Sequence, residues 1–340
     1  MLKRILTFAT DKIYNLPIIV LMPHSRCNCR CVMCDIWKAN NSKKELSVDE
    51  LHKHVKTFRA LGVREIVFSG GEALMHSNLW MLCDLLKREN IKLTLLSTGL
   101  LLEKNAESII EHIDNVIISV DGSQSVHDRI RNVPGGYEKI VAGIKTLKKR
   151  KPGFRVTARC VLQRYNFADF INIVRASRSI GLDQISFLAA DVSTPAFNHF
   201  REMTVHRVGE IALSKSEVAE FETIISGSFV QLKEEYDTKF IAEPPQKILK
   251  IVQYYKALNG MANYPRAICN APWVSAVIES NGDVMPCFFH KPYGNIYEDD
   301  LSSIINSRTA ISFRKNLDTT CDPVCNKCVC SLKLGITQMN

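Results

Sequence analysis

Three cysteines, Cys27, Cys31 and Cys34, stand at the spacing C-x3-C-x2-C. Three thiolates on one short loop can hold three irons of a 4Fe–4S cluster and leave the fourth iron without a protein ligand. An open iron is a chemical site, whereas a fully ligated cluster only carries electrons. A structural zinc is the competing occupant, since zinc takes four protein ligands and His24 or Cys29 can supply the fourth. Farther along, Ser69-Gly70-Gly71-Glu72 follows a strand-like run. Paired glycines let a backbone approach a ligand closely at a strand end, and Glu72 offers a carboxylate to an ammonium group.

A second group of cysteines lies near the end of the chain. Cys269 precedes an apolar strand over 273–279, and Asn281-Gly282 then signals a hairpin whose return strand leads to Cys287. Short helices over 301–306 and 310–316 come next, and the tail carries Cys321, Cys325, Cys328 and Cys330. A zinc knuckle is the alternative use of such a group.

The elements that must position these residues alternate. The apolar run 18–22 reads as a buried strand and the first cysteine loop follows it. The capping box Ser47-Val48-Asp49-Glu50 opens a helix to about 61. Further strands are expected over 64–69, 91–97, 116–120, 154–162 and 184–189. Helices are expected from Asn78 as a cap to 89, and over 103–112, 137–149 and 167–180. Six strand–helix units predict a parallel α/β sheet with right-handed crossovers, short of a closed eightfold barrel. Chemistry then belongs at the C-terminal strand ends, where both motifs fall. Residues 207–258 read as two helices broken around Glu243-Pro244-Pro245.

The two motifs, in this order, resemble the radical S-adenosylmethionine (SAM) superfamily, with Met33 where an aromatic residue usually precedes the last cysteine. The resemblance implies a partial (β/α)6 TIM-like barrel in which Cys27, Cys31 and Cys34 hold the cluster. Its open iron takes the amino and carboxylate groups of SAM, and Gly70, Gly71 and Glu72 bind the SAM amino group. One electron then cleaves SAM to methionine and a 5′-deoxyadenosyl radical, which removes a hydrogen atom from the substrate. Met33, Ser97, Ser119 and Leu188 are expected around SAM, and Ser119-Val120-Asp121-Gly122 with His127-Asp128 and Arg131 resembles the branch with extra clusters. By that resemblance Ser119 contacts the ribose and Arg131 the carboxylate. The residues alone leave Asp121 open as a turn-former, Arg131 as a solvated arginine and Leu188 as core. Cys269, Cys287, Cys325 and Cys328 resemble the ligands of a small α+β auxiliary-cluster domain of the SPASM or shorter twitch type, with Cys321 or Cys330 as substitutes. The division implied is a core over 1–242, with a helical extension from about 193, and the auxiliary domain over 243–340.

Asp191, after the sixth strand, is a candidate proton acceptor as well as a candidate turn residue. His199, Glu202 and His206 read as surface polarity. Cys83 and Cys160 read as packed, although a cleft-facing cysteine would donate a hydrogen atom well, and Cys29 is left unligated.

Composition narrows the class. The 340 residues are 46% apolar, with no run long enough for a membrane span and no signal-peptide pattern. Twelve cysteines, mostly in two tight groups, suit metal sites in a reducing cytoplasm rather than disulfide staples. The net charge of +9 suits an acidic flavodoxin or ferredoxin as reductant, and without basic–aromatic interleaving it argues against nucleic acid. The expected activity is oxidation or epimerisation of a small, sugar- or aminocyclitol-like molecule, with the auxiliary cluster as electron acceptor in the oxidation. Maturation of a ribosomally made peptide is the alternative, disfavoured because the cluster loop starts at residue 27 and leaves no room for a leader-binding domain. The molybdenum-cofactor cyclase branch is set aside because the chain lacks a Gly-Arg-Arg tail. A non-catalytic iron–sulfur or zinc protein is the reading from another class.

Overall fold

The apolar runs expected as strands form one sheet, and a computed structural model describes residues 1–198 and 204–339. His199 and Glu202 lie outside the described residues; His206 is exposed, 3.6 Å from Glu210. Six strands, β1 Ile18–Leu21, β2 Glu65–Phe68, β3 Lys92–Ser97, β4 Asn115–Ser119, β5 Val156–Leu162 and β6 Gln184–Ala189, run parallel in the order β6-β5-β4-β3-β2-β1. Helices Val48–Leu61, Leu79–Lys87, Ala106–His112, Gly136–Arg150 and Phe170–Ser179 connect them. The architecture is an open partial barrel. Ser47 caps the first of these helices by accepting from Glu50 N at 3.2 Å. Asn78 stands at the N-cap of the next, as expected, but its side chain makes no such bond.

Burial alternates along β2, β4 and β6. This two-residue period sends Ile66, Phe68, Val116 and Ile118 into the core and leaves Ile117, Ser119 and Leu188 half-buried.

The expected strand over 273–279 begins instead with a turn of helix, Ala271–Val274, which Pro272 starts. It then becomes β7, Ser275–Ile278, which pairs in parallel with β1 from Ile18↔Ser275 to Leu21↔Ile278. The Asn281-Gly282 turn returns β8, Asp283–Met285, antiparallel, and β9, Gly294–Asn295, completes nine strands among the described residues. The barrel and the C-terminal cysteine region therefore share one sheet.

The middle region departs from two helices. Helices Val205–Ile211, Lys215–Gln231 and Lys233–Asp237 precede the proline break, and Pro245–Leu258 follows it. A capping box of Ser214 with Glu217 restarts the chain after Ile211. Helix Pro245–Leu258 packs on the barrel, where Tyr255 Oη donates to Leu162 O (2.5 Å) and Tyr254 Oη to Ala190 O (3.1 Å). The N-terminal helix Leu2–Thr10, absent from the expectations, is tied to the tail by Arg4, which donates to Asn15 Oδ1 and Gly335 O.

Candidate active site

β1 ends in the first cysteine loop. Asn40 brackets Cys27, accepting from its N–H (2.9 Å) and donating to its carbonyl (3.0 Å), while Val32 N donates to Ile130 O and Trp37 Nε1 to Cys34 O. Arg207 donates to Asp35 Oδ1 at 2.6 Å and pins the helix Val205–Ile211 beside Cys34. Cys29 is buried between two of its neighbours. A hydrogen bond from its thiol is the largest influence lowering Cys27, and the same is true of Cys31, which is lowered to about 6 against its burial and with help from Arg131. Cys29 itself is pushed up by those bonds, and burial pushes Cys34 up to about 12. Cys29 thus stands as the proton donor of the loop.

β2 ends on the glycines. A Cβ at Gly71 would lie 2.0 Å from the Arg26 carbonyl oxygen, and Gly70 has φ +109° with its Cβ position 2.8 Å from His24 O. Only glycine permits this approach of the turn to the cysteine loop. The Glu72 carboxylate is fully buried, accepting from Ser97 Oγ (2.9 Å), Thr98 N (2.7 Å), Thr98 Oγ1 (2.6 Å) and Leu74 N (3.1 Å). Burial raises its pKa, against the pull of those donors. Glu72 therefore braces the turn against β3, and the surface offered to a ligand is Ser69, Gly70 and Gly71.

Arg131 ends the helix Gln124–Arg131 and is not solvated. Its Nη2 lies 2.5 Å from Asp121 Oδ2 and its Nη1 3.5 Å from Cys31 Sγ. Burial works against the charge, yet Asp121 and Cys31 raise its pKa. Asp121 is thus a fully buried counterion that also accepts from Val161 N at 2.9 Å, more than a turn-former.

A cavity of about 240 Å³ opens at these strand ends. Cys27, Cys31, Met33, Cys34, Gly70, Gly71, Ser97, Ser119, Arg131, Leu188 and Asp191 all line it. Asp191 faces the cavity and also holds its own turn, accepting from Ser193 N and Oγ (3.1 Å each) and from Thr194 Oγ1. Cys160 and Cys83 are fully buried outside the lining. The sequence reading missed Arg159 and the wall of Phe197, Phe288 and Phe289. Arg159 carried a signal: a charge at the alternate position of an otherwise apolar strand points into the barrel.

The tail reaches the same cavity, since Val329 and Cys330 line it too. Cys287 feels the charges of Cys269 and Cys330, Cys325 those of Cys287 and Cys269, and Cys328 those of Cys330, Cys269 and Cys287. Burial pushes Cys287 up to about 11 and Cys325 to about 12. Cys321 is exposed and contacts Thr320.

The donor sets fit iron–sulfur clusters better than zinc. Sulfurs around one tetrahedral zinc stand about 3.8 Å apart. Among the described residues, the one trio of possible ligand atoms within 4.8 Å is His290, Asp322 and Cys325, and neither thiol group closes to that range. Three thiols on one loop suit three irons of a cubane. Beside the first group, Arg131 Nε is buried without a hydrogen-bond partner, which suits an anionic group there.

Comparison with known proteins agrees. A model described as "Radical SAM superfamily" matches residues 21–176, and SPASM, described as "Iron-sulfur cluster-binding domain", matches 269–329. The chain is 26% identical over 289 residues, 83% of its length, to the antilisterial bacteriocin subtilosin biosynthesis protein AlbA of Bacillus subtilis, and spans 58% of that protein. It is 27% identical over 219 residues to a probable GTP 3′,8-cyclase of Methanococcus maripaludis, covering 62% of this chain and 69% of the cyclase. The fold is similar to that of Streptococcus suis SuiB bound to precursor peptide SuiA, with a TM-score of 0.67 and 14% identity over 96% of this chain and 73% of that one. The chain belongs to the radical SAM superfamily, with a C-terminal SPASM domain, and its cofactors are a SAM-binding 4Fe–4S cluster, an auxiliary cluster and SAM.

Proposed function

We propose that this chain oxidises its substrate by two electrons, with the substrate held in the cavity between the two thiol groups. One observation carries the reading: Cys27, Cys31 and Cys34 line the same cavity as Val329 and Cys330 of the tail. The cluster on Cys27, Cys31 and Cys34 supplies the electron that cleaves SAM and frees the 5′-deoxyadenosyl radical. The chain's own groups do the rest. Arg131, its charge kept by Asp121, holds the SAM carboxylate, and the backbone at Gly70 and Gly71 receives the amino end. Ser119 and Leu188 bound the nucleoside, with Met33 and Ser97 beside them. The cavity excludes water with Phe197, Phe288 and Phe289, which protects a radical from side reactions. Cys269, Cys287, Cys325 and Cys328 would hold the auxiliary group, which would supply the electron acceptor of the oxidation, and Asp191 on the cavity lining would take the substrate's proton.

A sugar- or aminocyclitol-like molecule is the substrate on this reading, in a reducing cytoplasm that keeps the thiols free. An acidic flavodoxin or ferredoxin supplies electrons to the +9 chain. A peptide substrate is the second reading, favoured by similarity to the bacteriocin biosynthesis protein over 83% of the chain. Redox-neutral epimerisation is favoured only by Cys330, the tail thiol on the cavity lining.

Anaerobic reconstitution tests the core. Two cubanes bind about eight irons, falling to about four in the Cys27/Cys31/Cys34→Ala variant, which no longer cleaves SAM with dithionite. Unchanged iron in that variant, or bound zinc in the parent, sinks the reading. With a substrate found, a product two hydrogens lighter supports oxidation, and solvent deuterium in an otherwise unchanged product supports epimerisation.

A further inference from the structure

The tail thiols have a neighbour that the cysteine spacing does not announce. His290 Nε2 stands 3.4 Å from Cys325 Sγ and 3.7 Å from Asp322 Oδ1. The imidazole meets Phe313 edge-on, with centroids 4.9 Å apart, and the side chain is 9% exposed. Asp322 holds the other end of the same cysteine, its Oδ1 accepting from Val324 N and Cys325 N at 2.9 Å each. One residue fixes the backbone of Cys325 and the other its sulfur.

A thiolate and a carboxylate both only accept hydrogen bonds, so between them Nε2 carries the hydrogen. We propose that His290 is a positioning residue of the auxiliary cluster, donating from Nε2 to the Cys325 sulfur and raising the cluster's reduction potential. This rests on the reading of the tail thiols as cluster ligands. The reduced cluster holds one more electron, spread onto its sulfurs, and a donor aimed at a sulfur favours that more negative state. The bond is strengthened by sitting out of bulk water. Its direction suits a cluster that must accept an electron from a substrate radical. Two other uses of the trio are direct ligation by Nε2 and a single zinc-class ion held by His290, Asp322 and Cys325.

The full-length Cys27/Cys31/Cys34→Ala chain, reconstituted anaerobically, isolates the auxiliary cluster. Its potential is read by redox titration followed by electron paramagnetic resonance, alone and with His290→Leu or His290→Gln added. The leucine variant is expected to keep about four irons. Its oxidised-to-reduced ratio at fixed potential rises about tenfold, a downward shift of about 59 mV for one electron. Glutamine, whose amide nitrogen falls near the Nε2 position, restores most of the shift. An unchanged potential in the leucine variant overturns the proposal. Loss of iron from both His290 variants with circular dichroism unchanged, or strong nitrogen coupling to the reduced cluster, overturns it in favour of ligation. Stoichiometric zinc on the iron-free chain that His290→Leu removes overturns it in favour of a separate ion. No iron at all in the triple variant before any His290 change overturns the auxiliary-cluster reading, and this inference with it.

Discussion

Glu72 shows how a motif residue acquires its role from what surrounds it. Its carboxylate accepts from Ser97, Thr98 and Leu74, all donors, so an amide there turns one acceptor into a donor facing donors. Glu72→Gln is therefore expected to destabilise the SAM-free chain by about 1–3 kcal/mol, the range for a buried group left unpaired. Urea unfolding of the iron-free protein measures it. A variant as stable as the parent, but weaker in SAM binding, returns Glu72 to the ligand role read from its sequence. The same logic separates Arg131 from a surface arginine. A buried guanidinium 2.5 Å from Asp121 and 3.5 Å from Cys31 is held in one orientation, which a ligand carboxylate can then use.

At the scale of elements, the seam between β1 and β7 joins the two chemistries. β1 runs into the first cysteine loop, while β7 leads through the Gly282 turn, at φ +94°, to Cys287. Neighbouring parallel strands thus lead toward the two thiol groups, and Cys330 of the second lines the cavity beside Cys27, Cys31 and Cys34. Proline in a central strand removes a ladder donor, and Ala276→Pro at the middle of this seam is expected to cost about 3 kcal/mol or more. It should also release the auxiliary cluster before the first one. Iron counts made after graded urea exposure would show four irons leaving early. Simultaneous loss of all iron would mean that the seam does not separate the two clusters. By contrast, Ser214→Ala removes a capping box far from the cavity and should lower stability by about 1 kcal/mol with iron unchanged.

For the whole molecule, two buried histidines set the acid limit. Burial, with Arg131 near, lowers His127 to about 3, and burial, with Arg26 and His76 near, lowers His24 to about 4. Both take part as acceptors, His127 Nδ1 from Asp121 N and His24 Nδ1 from Arg26 N. Their folded pKa values lie below the unfolded value of 6.5, so the unfolded chain binds more protons in between. Stability is whole above pH 6.5 and falls as pH drops toward 4 and then 3, by at most about 1.4 kcal/mol per pH unit for each histidine. Glu72, with a raised pKa, acts in the opposite sense. His127→Asn keeps an acceptor near Nδ1 and removes the titration. Urea midpoints of the iron-free variant should therefore fall less steeply from pH 6.5 to 5 than those of the parent, and parallel slopes would rule His127 out.

Much of this was legible without coordinates, for a physical reason. The C-x3-C-x2-C loop, the Gly-Gly turn and the period-2 strands are local patterns, in which spacing alone decides ligand number, backbone approach and which side of a strand faces inward. The six-strand barrel followed from that alternation. What needed the tertiary structure lies between distant segments. β7 pairs with β1 across some 250 residues of chain, Asp121 meets Arg131 only after a helix turns back, and His290 reaches Cys325 through the packing of Phe313. The bonds that Glu72 accepts from Ser97 and Thr98 belong here too, because those donors stand at the end of β3, a helix and a strand later. Sequence determined the ligand types and spacings of the two cysteine groups; the pairing of β7 with β1 in one sheet decided that the tail lies against the cavity of the first group, since long-range pairing is set by burial and register rather than by any local spacing.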